Sequence, residues 1–220
     1  MSTVHGGINI IKSGLSLWLD GSNYSSGNIW TDLSGNGNHA TLVNSPTFNT
    51  ANNGFFQFDG ASDYASIPMA ANMPGGISTS LELVIKNDYS MRAGQGGGYW
   101  GFGFEGAGFS HSCGGQGNIS SFFVGASFNH YVFTWNQAAN NHTMYRNATN
   151  VYSFTPACAF NGNQGGFFII GGAYVPNQIS APGVQSYGTP HIAQLRLYNR
   201  ILTDNEIARN FESVRKRFSL

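Results

Sequence analysis

The chain has 220 residues, 9% charged and 14% aromatic, with ten basic and ten acidic side chains and a formal net charge of zero. Low charge combined with many aromatics excludes a disordered chain, and the balanced charge points to neither nucleic acid nor a charged membrane as a partner. A domain of this length buries roughly 70–75% of its unfolded surface and folds without a disulfide or metal, so a single domain over residues 1–220 is the simplest organisation.

The N-terminal MSTVHGGINIIKSG lacks a basic stretch leading into a long apolar core. It reads as an arm (1–13) rather than a secretory signal. Short apolar and period-two runs follow, as half-buried strands require. They predict strands at Leu15–Leu19, His39–Val43, Phe55–Phe58, Tyr64–Ile67, Ser78–Lys86 and Tyr99–Phe104. Further strands are expected at Ser120–Val124, His130–Trp135, Thr143–Arg146, Val151–Phe154, Phe167–Ile170 and His191–Tyr198. Turn chemistry separates them: SGNGN, NNG, MPGG, GQGGG, CGGQGN and NGNQGG. Many short strands without alternating helices imply an all-β sandwich or barrel. No apolar run approaches ~18 residues, so none is long enough to cross a membrane as a helix.

The last segment departs from this pattern. LTDNEIARNFESVRKRF places Thr203 as N-cap with Glu206 three residues on, a capping box. Ile207, Phe211, Val214 and Phe218 fall on one helical face, so a helix over 203–218 is expected to pack on the sandwich through them. Arg196, Arg200, Arg209, Arg215, Lys216 and Arg217 are six of the ten basic residues. They read as dipole compensation on a solvated face, or as a patch for an acidic neighbouring subunit.

Most chemical motifs are weak. GFGFEG matches G-x-G-x-x-G, but it lacks the following helix and the acid that a dinucleotide site needs, and reads as a crowded strand. Glycoside hydrolysis needs two carboxylates held about 5–9.5 Å apart. Glu82 stands alone in STSLELVIK, as do Asp88 and Glu105 in their segments, so catalysis has no candidate residues. The six histidines are scattered, without ligand spacing, and read as polar residues at strand ends. Cys113 and Cys158 are far apart and read as two free thiols or one long-range bridge. Four N-x-S/T sequons occur, at Asn23, Asn118, Asn141 and Asn147, and without a secretion signal they are expected to stay unmodified.

The stretch TDLSGNGNHATL, residues 31–42, is either a chemical loop or a turn that starts a strand. Asp20, Asp32, Asp59 and Asp63 each border a turn. Carboxylates with Gly/Asn carbonyls suit calcium, and Asp20 and Asp32 are the metal candidates. Asx-turns, in which the carboxylate accepts its own loop's N–H groups, are the alternative.

SLWLDGSN, WTDLSGNGNHATLVNSPTF and GFFQFDGASDYASIP together resemble the opening of the laminin G-like jelly rolls of the concanavalin A-like lectin/glucanase superfamily. HYVFTWNQAANNHTMYRNATNVY is similar to their central hairpin, and FFIIGGAY with HIAQLRLYNRILTDNEIARNF to their closing strand and helix. The resemblance implies an antiparallel two-sheet jelly-roll sandwich with one short C-terminal α-helix. It also implies that TDLSGNGNHATL is mainly a fold signature, with Gly35 and Gly37 free to take positive φ. Where relatives often carry two acids before the Arg-x-Tyr-Asn-Arg run, this chain has Ala193 and Gln194. That departure argues against a bound calcium.

The short form is similar to structural proteins of tailed phages and other viruses. It implies a non-catalytic virion component, made in the host cytoplasm, with other capsid proteins and further copies of itself as partners and no cofactor. Its interface candidates are Tyr99, Trp100 and Phe102, in a Gly- and aromatic-rich loop over Gly94–Phe109, together with Arg209, Arg215, Lys216 and Arg217. The alternative is a carbohydrate-binding, lectin-like module with Tyr99, Trp100 and Tyr187 as sugar platforms.

Overall fold

The computed structural model describes residues 9–68, 78–86, 91–94, 102–105, 108–112, 116–120, 126–136, 138–155, 167–174, 184–185 and 188–220. Tyr99, Trp100, Tyr187, Cys113 and Cys158 lie outside the described residues. In chain order the described strands are β1 (Leu15–Asp20), β2 (Ile29–Trp30), β3 (Ala40–Val43), β4 (Thr47–Asn49), β5 (Phe55–Gln57), β6 (Tyr64–Pro68), β7 (Thr79–Lys86), β8 (Met91–Gly94), β9 (Phe102–Glu105), β10 (Gly108–Ser112), β11 (Gln116–Ser120), β12 (Asn129–Asn136), β13 (Asn141–Arg146), β14 (Thr149–Phe154), β15 (Phe167–Ile170), β16 (Ala173–Tyr174), β17 (Val184–Gln185) and β18 (His191–Tyr198). Helix α1 (Asp204–Phe218) follows them.

One sheet runs β14-β13-β12-β7-β18-β5-β4, with β1 also paired to β18. A second runs β11-β10-β9-β8-β15-β6-β3-β2, and β16 and β17 pair as a small two-stranded sheet of their own. The registered pairs are antiparallel. This is the two-sheet jelly-roll sandwich that the strand pattern and the resemblance imply.

Alternation decides which side chains meet. Leu81 and Leu83 of β7, Phe133 of β12 and Leu195 of β18 point into the sandwich, where they join Ile67 and Phe168 of the facing sheet in the main core. The alternate residues of these strands point outward, yet β7 and β18 are buried along almost their whole lengths. Helix α1 is the reason, because it lies on the outer face of the first sheet. Its N-terminal half closes an apolar cluster with Leu15, Val132, Tyr198 and Leu202 through Ile207. Its C-terminal half closes a second with Phe55, Val84, Phe128 and Ala193 through Val214 and Phe218.

The capping box forms as expected, with Thr203 accepting from Glu206 N and Glu206 reaching back to Thr203 N. The expected apolar stripe is wrong at one place. The buried residues of α1 are Ile207, Asn210, Val214 and Phe218, and Phe211 is only half-buried, its ring 5.6 Å from that of His130. An asparagine takes the central seat because the sheet beneath it is polar there, as described below.

Gly94–Phe109 reads in the sequence both as carrying a strand at Tyr99–Phe104 and as an exposed loop, and its described residues favour strand, with 95–101 and 106–107 outside the described residues. Gly94 ends β8, and β9 and β10, containing Phe102, Phe104 and Phe109, are ladder strands of the second sheet. The backbone of β9 pairs on both sides, with β8 and β10. A strand not read from the sequence lies at Gln116–Ser120, and the strand expected at Ser120–Val124 falls, beyond Ser120, outside the described residues. Several short strands (β2, β4, β8, β16 and β17) went unread, being two to four residues long.

Ile207→Ala should cost about 2–5 kcal/mol of stability, and Phe211→Ala less than about 2 kcal/mol, because only the first empties a fully buried site. Urea denaturation measures both, and equal losses would contradict the observed seating of the helix.

Candidate functional site

The outer face under α1 has a polar centre between its two apolar clusters. Glu82 of β7 is 1% exposed, Arg196 of β18 2%, and His130 of β12 and Asn210 of α1 are fully buried. Register brings the first three together, since β7 pairs Glu82 with Arg196 on one side and with Val132 on the other. Glu82 Oε1 accepts from Arg196 Nη1 at 2.5 Å and from His130 Nε2 at 2.8 Å. Asn210 Nδ2 donates to Glu82 Oε2 at 2.7 Å and to the Tyr198 hydroxyl at 3.0 Å. The carboxylate can only accept, so His130 carries its proton on Nε2. Burial alone would raise the Glu82 pKa, but Arg196, His130 and Asn210 outweigh it and hold it at about 2. Two nitrogens of the cluster, His130 Nδ1 and Arg196 Nε, are buried without hydrogen-bond partners.

The network extends to both chain ends. Ile11 N donates to Asn210 Oδ1 at 2.9 Å, and the Tyr198 hydroxyl donates to Ile11 O at 3.2 Å. On the other side, Arg196 Nη2 donates to Gln194 Oε1 at 2.9 Å, and Gln194 Nε2 donates to Asp20 Oδ2. A β-bulge between Ile192 and Gln194 lets Ala193 join the outer apolar cluster just before Gln194. The amide at 194 bridges a cation and an anion because it both donates and accepts. An acid there would meet Asp20 with like charge.

Asp20 Oδ1 in turn accepts from Arg217 Nη1 at 2.8 Å. Arg217 also donates to the carbonyls of Asn52, Asn53 and Gly54 at 2.5, 3.1 and 2.8 Å. This turn reaches Arg217 because Gly21 and Gly54 let two backbones touch. A Cβ at either would strike the other's carbonyl, and Gly54 has φ +105°.

Between residues 9–12, β1, the Gln194–Arg196 stretch of β18 and the C-terminal half of α1 lies a cleft of about 370 Å³. Trp18, Asp20, Ser22, Asn53 and Ser213 line it along with Lys12, Gln194, Arg196 and Arg217. Lys12 Nζ lies 4.2 Å from the centre of the Trp18 ring, and the Arg196 guanidinium 5.6 Å from it. Trp18 Nε1 has no hydrogen-bond partner.

The residues singled out in the sequence fall as follows. Asp32 Oδ1 accepts from the N–H groups of Trp18 and Ser34, and Oδ2 from Asn38 N and Ser34 Oγ, at 2.8–2.9 Å. His39 Nδ1 accepts from Asp32 N at 3.0 Å, and Asn38 Nδ2 donates to Ser16 O at 2.9 Å. TDLSGNGNHATL therefore staples β1 to the turn before β3. Its carboxylate is surrounded by N–H donors, which suit an anion and leave no coordination shell for calcium. Asp20 is paired with Arg217, and it does not converge with Asp32 on a common site. Asp59 accepts from Ala61 N and Ser62 N at 2.8 and 2.9 Å, an Asx-turn. Burial raises its neighbour Asp63 to about 6. Among the described residues, no group of three or more His, Cys, Asp or Glu side chains could hold a metal.

The basic residues of the last segment divide: Arg196 is buried, Arg200 and Arg217 are half-buried, and Arg209, Arg215 and Lys216 stay exposed. Arg196 pairs with buried Glu82, and Arg200 grips Glu206 at 2.6 and 2.8 Å. Arg209 donates to Asn9 O at 2.9 Å. Arg217 meets the acidic turn at Asp20 within one chain, not across copies. Arg215 pairs with Glu212 at 2.7 Å but stays exposed, as does Lys216. Glu82, read as isolated, and His130, read as a strand-end residue, are both central. The sequence offered no signal for Asn210 or Trp18 beyond their polar and aromatic types.

Glu82→Ala should cost about 3–5 kcal/mol, because it leaves Arg196 buried without a counter-ion. The Glu82 pKa is lower in the folded than in the unfolded chain, so its contribution is complete above about 4.5 and is lost as pH falls toward about 2. Denaturant midpoints measured over that window should fall steeply in the native protein and less steeply in Glu82→Gln. Glu206, held at about 2 by Arg200, accounts for a residual slope. Identical slopes would contradict the assignment.

The family model of the concanavalin A-like lectin/glucanases superfamily, laminin G type, matches residues 59–208. No curated protein matches the sequence. Among solved structures, the binding domain of Paraclostridial Mosquitocidal Protein 1 superposes with a TM-score of 0.67 at 12% identity, over 91% of this chain and 52% of that one. The binding domain of Botulinum neurotoxin DC, in complex with rat synaptotagmin II, gives 0.68 at 13% identity, over 93% and 52%. Trypanosoma rangeli sialidase, in complex with sialic acid, gives 0.60 at 18% identity, over 92% and 33%. The chain thus spans about half the length of the two toxin binding domains and a third of the sialidase. At these identities the likeness is one of fold. The family match covers well over half of the sequence, and the chain belongs to the concanavalin A-like lectin/glucanases superfamily.

Proposed function

We propose that the protein is a non-catalytic carbohydrate-binding module and that the cleft beside Trp18 is its binding site. The observation carrying this reading is the composition of that cleft. A saccharide presents hydroxyls around apolar C–H patches. The cleft sets one indole wall among hydroxyls (Ser22, Ser213), amides (Asn53, Gln194) and a carboxylate (Asp20). Its volume of about 370 Å³ lies within the ~300–1,000 Å³ usual for small-ligand sites. The one carboxylate lining it is already held by Arg217 and Gln194, which makes it a poor nucleophile or general acid. The superfamily includes lectins, and the two toxin binding domains that share the fold are recognition domains, which supports a binding role. They give no support to the virion role expected from the sequence, so the lectin-like alternative takes precedence.

A glycan array followed by isotope-resolved NMR tests the proposal. At least one saccharide should bind, without being hydrolysed. The signals of the Trp18 indole, Ser22 and Ser213 should shift on titration, and Trp18→Ala should weaken binding by at least about tenfold, or about 1.4 kcal/mol. If no saccharide binds, the function is wrong. If the shifts cluster instead at Tyr99, Trp100 and Tyr187, the module is a lectin but the site is not this cleft.

A further inference from the structure

The cleft has an imbalance of charge that a neutral sugar would not require. Three cations (Lys12, Arg196 and Arg217) and one carboxylate (Asp20) line it. Arg217 is paired with Asp20, and Arg196 with Glu82 behind the cleft wall. Both pairs are internal and complete the fold. Among the described residues the Lys12 ammonium has no ion-pair or hydrogen-bond partner, and it lies over the Trp18 ring. Burial, and then the nearby charge of Arg196, lower its pKa. A lysine placed against another cation with no anion to share is an electrostatic cost in the unliganded protein. The guanidinium of Arg196 lies 5.6 Å from the centre of the same ring, and its buried Nε has no partner.

We propose that the cleft is an anion-binding subsite in which Lys12 holds an acidic group, a carboxylate or sulfate ester, carried by the bound saccharide. This rests on the lectin-like reading and names its ligand class. Lys12 stands at the end of the segment 9–12 that α1 and Tyr198 pin in place through Asn9 and Ile11. The cation is thus presented from a fixed backbone, on a flexible stem that can lift from the indole to meet the ligand. The indole supplies the apolar wall, and Ser22, Asn53 and Ser213 supply hydrogen bonds to ring hydroxyls.

The experiment is an NMR titration of the full chain at constant ionic strength with three probes: glucuronate, glucose and inorganic sulfate. The native protein is compared with Lys12→Gln and Lys12→Arg, and the Trp18 indole signal is the readout. Lys12 is largely solvated and outside both apolar clusters, so thermal melts should show all three proteins folded. Glucuronate should bind about tenfold more tightly than glucose, and sulfate should shift the same signals. Lys12→Gln should abolish both the preference and the sulfate shifts, and Lys12→Arg should keep them. Equal binding of glucuronate and glucose overturns the inference and leaves the lectin-like function standing. Sulfate shifts without any saccharide response do the reverse, leaving an anion pocket in a protein that is not a lectin. Full retention of the preference in Lys12→Gln, or no response to any probe, overturns the inference outright.

Discussion

The buried carboxylate of Glu82 is the constraint around which the outer half of the molecule is arranged. A carboxylate at 1% exposure is expensive unless every lone pair it retains is used. Arg196, His130 and Asn210 use them, and they come from two flanking strands and the helix. The same contacts set the seating of α1, since its central inward residue must be one that can donate to Glu82. Apolar clusters on either side supply the burial energy. The ionic centre supplies registry, because sliding the helix by one turn would leave Glu82 without Asn210.

That registry also shapes the cleft. Asn210 and Tyr198 fix Ile11, which places Lys12 over Trp18. Arg196 and Gln194 carry the network to Asp20, and Asp20 holds Arg217 at the far end of the helix. The cleft is the gap left between these anchored pieces. Charges are only 9% of this chain, and Glu82, Arg196 and Asp20 are among those that it buries. Of the basic residues clustered near the C-terminus, Arg196, Arg200 and Arg217 tie the helix down, whereas Arg215 and Lys216 stay exposed.

Much of the fold was legible. Alternation in LSLWLD, TSLELVIK and HIAQLRLY marks the central strands, and T-x-x-E marks the helix start. These signals are local, and local physics produces them. What was not legible depends on pairs far apart in sequence. Glu82 and Asn210 are separated by 128 positions, and nothing in a single sequence says that two isolated polar residues will meet. A helical stripe argument prefers Phe211 to Asn210 because it assumes an apolar surface below. In the Gly-rich run around residues 94–109 one strand was legible and β10 was not, because glycine weakens strands intrinsically while neighbouring strands can impose pairing on it. At the Asp32 turn, where the sequence leaves calcium and an Asx-turn both open, the carboxylate accepts from backbone donors of β1 and its own loop.

The central claim is that Glu82 and Arg196 act as one unit in holding the helix-bearing face together. A double-mutant cycle with Glu82→Gln and Arg196→Met tests it most directly, with stability read from chemical denaturation. Each single change strands a buried partner, whereas the double change removes both, so the double mutant should be more stable than the sum of the single losses by about 2 kcal/mol or more. Additivity to within about 0.5 kcal/mol would show that the two residues do not form that unit, and would contradict the account.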